Sequence, residues 1–163
     1  MSRKAVAATL VSIALLPGCG GDDKKKSTTK ASTTATSTSP SPDAVRGFQT
    51  ATGKYLSARQ SFIRRVNADA KTGNIPAATS QVAQFRTAVF NFDKELRALT
   101  VPPQVPMNPQ LEANAALIGD LDGLAAVKST AEFNRQNDRV NTDQTRVRTA
   151  RQAVARALGT PAQ

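Results

Sequence analysis

A single thiol, no imidazole and an excess of guanidinium groups bound the chemistry open to this 163-residue chain. Cys19 is the only cysteine, so no intramolecular disulfide can form. His is absent, which removes the commonest general base and the commonest transition-metal ligand, and with them any Glu-x-x-His metal site between helices. The carboxylates do not replace it. Glu112, Asp120 and Asp122 belong to one expected helix, but Asp120 and Asp122 lie two apart, point to different faces and cannot share an ion. No glycine-rich phosphate loop, serine elbow or paired thiol occurs. The expectation is a protein that is not an enzyme, with no catalytic residue, no metal and no cofactor.

The cations are a different matter, since 22 Arg and Lys against 12 Asp and Glu give a formal charge of +10 and a pI near 10.5. Such a balance favours acidic partners without naming one. Arg135, Arg139, Arg146, Arg148, Arg151 and Arg156 crowd the last expected helix against Asp138 and Asp143. They read either as a solvated outer face or as a ladder for a polyanion, with Arg139 and Arg146 as its central rungs. Arg59 falls where an apolar stripe would place an inward residue. Its stem can lie along the core edge with the head in water, or it can be a buried cation facing Gln136-Asn137 or Asp143-Gln144. Phe90 follows a stripe residue and points away from the stripe, as a partner anchor or as a tolerated surface side chain.

The elements that position these residues begin with a leader. Arg3-Lys4 precedes an apolar run over residues 5–16, too short to span a bilayer core and ended by Pro17-Gly18. Leu16-Pro17-Gly18-Cys19 resembles the lipobox of bacterial lipoproteins. That resemblance implies diacylglyceryl transfer to the Cys19 sulfur, cleavage between Gly18 and Cys19, and anchoring on the extracytoplasmic face of the cell membrane. Two acyl chains on one residue suffice for stable anchoring. Cys19 is then an anchor and no nucleophile, and the mature chain keeps 20 basic against 12 acidic residues, a formal +8.

Residues 19–42 hold Lys24-Lys25-Lys26 and a Ser/Thr tract ending in Ser39-Pro40-Ser41-Pro42, with nothing large and apolar to bury. This composition predicts a disordered tether. From 43 to 159 the pattern is helical throughout, ahead of a short tail at 160–163. The first helix opens on Ser41-Pro42-Asp43 and carries Val45, Phe48, Tyr55, Leu56, Phe62, Ile63 and Val66. Gly73-Asn74 separates it from the second, where Ile75, Ala78, Val82, Phe85, Val89, Phe92, Leu96 and Leu99 alternate by threes and fours. The Pro-rich stretch 101–106 should run extended to a cap at Asn108 before Pro109. Leu111, Ala115, Ile118, Leu121, Leu124 and Ala125 are the expected inward face of the third helix. The fourth opens on a capping box, Ser129 to Glu132, and shows Phe133, Val140, Val147 and Val154 every seven residues, then Leu158. No strand pattern competes, so the expected fold is all-α, an up-down-up-down antiparallel four-helix bundle, and a monomer.

The Ala-rich, Arg-rich composition and Ser/Thr tether together resemble uncharacterised helical lipoproteins of high-GC Gram-positive bacteria. Two functional readings follow. One is a non-enzymatic interaction module that presents a basic helical surface to anionic lipid, cell-wall polymer or an acidic protein. Nucleic acid is a poor partner for an exported chain whose basic helix lacks base-stacking aromatics. The other is a small-molecule or lipid-binding protein with a cavity lined by Arg59, Tyr55 and polar residues of the fourth helix.

Overall fold

Capping chemistry decides where each helix starts and stops, and the computed structural model, which describes residues 39–161, contains four helices: α1 (Pro42–Lys71), α2 (Ile75–Arg97), α3 (Met107–Ala125) and α4 (Thr130–Ala157). No strand occurs among the described residues. Ser41 caps α1, its Oγ accepting from Ala44 N at 3.1 Å. The corner after α1 is very tight. Gly73 takes φ +71°, the Asn74 N–H donates to Asp69 O at 3.0 Å, and Asn74 Oδ1 accepts from Ala77 N at 3.2 Å. Asn74 thus closes one helix with its backbone and opens the next with its side chain. The end of α4 is built alike, with Gly159 at φ +69° and Thr160 N donating to Ala155 O at 2.9 Å.

Two expected boundaries shift. The α2 helix stops at Arg97 rather than Leu99 because Ala98 already caps it, although Leu99 still packs against the core. The stretch after it folds instead of running extended: Val105 N donates to Pro102 O at 3.0 Å and Met107 N to Val105 O at 2.8 Å, around buried Val105. With Pro106 held at φ −79° and ψ 66°, this inverse γ-turn launches α3 at Met107, so Asn108 lies inside the first turn and caps nothing.

The helices pack antiparallel in sequence order. Phe62 stacks on Phe85 at 4.6 Å between ring centroids and Tyr55 on Phe92 at 4.8 Å, so residue numbers rise on α1 as they fall on α2. Residue numbers run oppositely at the other seams too: Arg86 meets Asp122 and Asp93 meets Asn114 between α2 and α3, Asp120 meets Gln136 and Glu112 lies by Arg146 between α3 and α4, and Arg59 meets Gln144 and Tyr55 meets Arg151 between α1 and α4. This is the up-down-up-down bundle. Every expected α2 stripe residue up to Leu96 is buried, as are Phe133, Val140, Val147, Val154 and Leu158 of α4. In α3 the expected Leu121 and Leu124 are buried, but the first half of the inward row is one residue off: Gln110, Asn114 and Leu117 are buried, Leu111 and Ile118 pack on its flank, and Ala115 and Ala125 are exposed. Two amides enter that row joined by one hydrogen bond, Gln110 Nε2 donating to Asn114 Oδ1 at 2.7 Å, while Gln110 Oε1 is buried without a partner.

None of the four helices is long and apolar enough to cross a membrane. The residues carrying the leader, Gly18 and Cys19, and most of the tether lie outside the described residues, as do the last two.

Val89 is fully buried between the stacked aromatic rings of α2's inward face. Val89→Asp should therefore unfold the bundle or cost several kcal/mol in a circular dichroism melt. Ser129 Oγ accepts from Glu132 N at 3.3 Å, and Ser129→Ala should cost only about 1 kcal/mol with the fold kept. A Val89→Asp protein that melts with the parent would remove this face from the core.

Candidate functional site: an arginine-rimmed groove and a polar seam

Arginine placement on α4 follows from the seven-residue repeat. With Phe133, Val140, Val147 and Val154 facing the core, the neighbouring rows face α3 on one side and α1 on the other. Toward α3 run Arg135, Arg139, Thr142, Arg146, Thr149 and Ala153, and the facing surface of α3 is made of Ala113, Ala116, Gly119 and Gly123. Small residues leave a depression, so an open groove follows the two helices for the length of α3, about 28 Å at 1.5 Å per residue. Its most capacious section is about 610 Å³ and mainly apolar, between Pro106, Pro109 and Ala113 on one side and Arg146, Ala150 and Ala153 on the other. At Gly123 a Cβ would lie 2.7 Å from Gln136 Nε2, so a side chain there would displace the Gln136 amide from its hydrogen bond to Asp120 O at 3.1 Å.

The groove is not purely basic. Lys128, Arg135, Arg139 and Arg146 share its lining with Glu112, Asp120, Glu132 and Asp143. Depth separates the charges at its middle, where the Arg146 side chain is 66 % exposed while that of its partner Asp143, 3.0 Å away, is 7 % exposed. Arginine thus forms the rim and Asp143 the floor. Burial pushes the Asp143 carboxyl above the ordinary carboxylate range and the nearby Asp120 charge adds to the shift, while Arg146 opposes it. At the far end, Glu132 sits below its ordinary value because it accepts from Lys128 N and from Ser129.

Toward α1 the arrangement differs. Arg59 is half-buried and its Nε donates to Gln144 Oε1 at 2.7 Å, one of the partners the sequence proposes; the side chain is therefore neither dry nor simply in water. The fully buried arginine is Arg151, 4 % exposed, with its guanidinium carbon 6.0 Å from the centre of the Tyr55 ring. Reading Arg151 as part of the solvated row is therefore wrong. It sits four residues after Val147, as Gln144 sits four after Val140, and this inward register was the signal available in the sequence. Burial lowers the Arg151 pKa, and Arg59 and Arg148 lower it further, against the Tyr55 phenol. Burial raises the Tyr55 pKa, offset in part by Arg59 and Arg151. The enclosed space beside Arg151, between Phe48, Thr52 and Thr160, is about 20 Å³, room for one water and not for an organic ligand.

Phe90 is 53 % exposed and is the only large exposed hydrophobic among the described residues, so it stands alone on α2 rather than at the centre of an apolar patch. Among the described residues no cluster of three metal-ligating side chains occurs. No protein-family model matches the chain, and neither a curated protein nor a solved structure shows significant similarity to it.

Asp143 supplies a pH test of the groove floor. A carboxyl whose pKa is raised by folding favours the native state while protonated and loses that advantage as pH rises through its folded-state value. Asp143→Asn should accordingly raise the melting temperature at pH 7, with the gain shrinking as the pH is lowered into the carboxylate range. A gain of equal size at acid and neutral pH would mean the charge is not the cause.

Proposed function

We propose that this chain is an extracytoplasmic lipoprotein, held at the cell membrane by lipid on Cys19, that acts without catalysis by presenting the arginine rim of the α3–α4 groove to an anionic component of the envelope. The leader and its Leu16-Pro17-Gly18-Cys19 motif support the anchoring. The observation that carries the binding is the single row of exposed Arg135, Arg139 and Arg146 along an open groove. A rim charge gains little from one contact, but a row spaced along a helix acts on a repeating anion as a set, and steers its approach. An anionic bilayer surface or wall polymer offers such repeated charge. The carboxylates between the arginines favour a partner that meets the rim from outside over one that enters the groove as a bare polyanion.

Anchoring is checked by mass spectrometry of the membrane fraction, which should show a mature chain beginning at acylated Cys19; Cys19→Ala should leave the precursor uncut. Binding is checked with vesicles of anionic and neutral lipid and with anionic wall polymer. The protein should prefer the anionic surfaces and release by about 0.5 M salt, because the Debye length falls from roughly 8 Å at physiological ionic strength toward 3 Å at 1 M. Replacing Arg139 and Arg146 with Gln should weaken binding clearly more than replacing Arg64 and Arg65, exposed residues of α1. Equal losses from the two pairs would reduce the effect to net charge and remove the groove from the reading.

A further inference from the structure

The widest part of the α3–α4 groove is also mainly apolar. At about 610 Å³ this section lies within the size of small-molecule sites, about 300–1,000 Å³. Pro106, Pro109, Ala113 and Ala116 line it on the α3 side and Ala150 and Ala153 on the α4 side, none with a polar side chain. The hydroxyls beside them are turned back on their own helix, Thr145 donating to Asn141 O at 3.1 Å and Thr149 to Thr145 O at 3.1 Å. What remains for a ligand is apolar surface and one charged side chain from each helix, Glu112 of α3 and Arg146 of α4.

Both charges are open to a ligand. Arg146 donates from Nη1 to Asp143 at 3.0 Å, yet its side chain is 66 % exposed, so the rest of the guanidinium stays accessible. Glu112 is exposed and pairs with no cation among the described residues. The antiparallel register that sets Asp120 beside Gln136 brings Glu112, about two turns earlier, level with Thr145 and Arg146, about two turns later. A carboxylate and a guanidinium therefore share one apolar section without pairing with each other.

The position of this section says where an apolar ligand comes from. It lies at the end of the bundle where α3 begins and α4 finishes, and antiparallel packing puts the start of α1 at the same end. Residues 19–42 join the bundle there, so under the anchoring proposed above this is the end tied to the membrane.

We propose that the apolar section of the groove binds a single-chain phospholipid with a zwitterionic head, its phosphate on Arg146, its ammonium on Glu112, and its acyl chain along the alanines toward the tether end. A guanidinium takes phosphate oxygens through paired N–H bonds and a carboxylate takes an ammonium as a compact charge, so the two side chains answer both signs of such a head. A purely anionic head meets Glu112 as a like charge, and a purely cationic one meets Arg146. The bilayer as the source of the lipid rests on the proposed anchoring, whereas binding itself does not and is measured in solution.

The probe is lauroyl lysophosphatidylethanolamine, offered to the full chain below its micelle-forming concentration and followed by titration calorimetry, with native mass spectrometry for stoichiometry. One lipid should bind per chain. Glycerophosphoethanolamine, the same head without the acyl chain, should bind roughly a hundredfold more weakly or worse, because each CH2 laid on apolar surface adds to affinity. Lauroyl lysophosphatidic acid, which lacks the ammonium, should bind about tenfold more weakly, the size of one lost charge-assisted contact. Glu112→Gln should reverse that order, weakening the zwitterion and relieving the anion. Ala116→Phe, at an exposed position in the same section, should fill it and abolish binding while the circular dichroism melt stays that of the parent. Arg139 does not line this section, and Arg139→Gln should leave lipid binding unchanged, so failure of the lipid site is separable from failure of the arginine rim. Absence of binding, an order of zwitterion and anion that Glu112→Gln does not alter, or binding that survives Ala116→Phe overturns the proposal.

Discussion

The stacking of Phe62 on Phe85 and of Tyr55 on Phe92 is the contact on which the rest of this bundle hangs. With no disulfide available, packing alone must set the register between helices, and flat aromatic faces at under 5 Å between centroids do so more sharply than branched aliphatics. Fixing α1 against α2 in this way puts the Tyr55 ring in the bundle interior, buried at 2 % exposure. From there it meets the Arg151 guanidinium across the interior, and a helix pair that must accommodate a tyrosine and an arginine between its backbones cannot close as tightly as one lined with valine. The wider spacing of the α1–α4 seam thus traces back to the same Tyr55 side chain that helps set the α1–α2 register.

The two flanks of α4 show two ways of keeping guanidinium groups on a folded surface. Toward α3, carboxylates lie between or beneath the arginines, with Asp143 as the most enclosed of them. Its raised pKa records what that enclosure costs. Toward α1, an amide and an aromatic ring meet the guanidiniums: Gln144 accepts from Arg59, and the Tyr55 face lies near Arg151. The first arrangement balances charge internally and leaves mainly the rim to act on surroundings. The second holds its guanidiniums deeper, Arg151 buried and Arg59 half-buried.

Small residues make the groove possible and also limit it. Ala113, Ala116, Gly119 and Gly123 bring little side-chain volume to the α3–α4 side, so the depression is shallow, open and mainly apolar at its widest section. The amides Gln110 and Asn114 occupy the inward row of the same helix, and the hydrogen bond from Gln110 Nε2 to Asn114 Oδ1 offsets part of the cost of enclosing them in an apolar core. The α3 helix thus carries small residues outside and two amides inside. The turn around Val105 and the paired Arg86 and Asp122 tie it to the rest of the structure.

Local hydrogen bonding and periodicity were legible in the sequence, because they involve residues a few positions apart. The cap at Ser41, the Gly73-Asn74 corner, the capping box at Ser129 and the unbroken α2 stripe stand where the residue types place them. The contact between Arg59 and Gln144 was visible as a polar interruption on two facing stripes. What only the tertiary structure decided is which of two adjacent rows turns inward when both are partly polar. In α3, one row holds Leu111 and Ile118 and the other holds Gln110, Asn114 and Leu117, and a step of 100° between them is smaller than the width of a buried face. In α4, Arg151 belongs by composition with the exposed arginines and by register with the core. The side chains brought to that spot by the other helices, Tyr55 above all, settled it, because a guanidinium is buried only where a distant part of the chain supplies a surface to receive it.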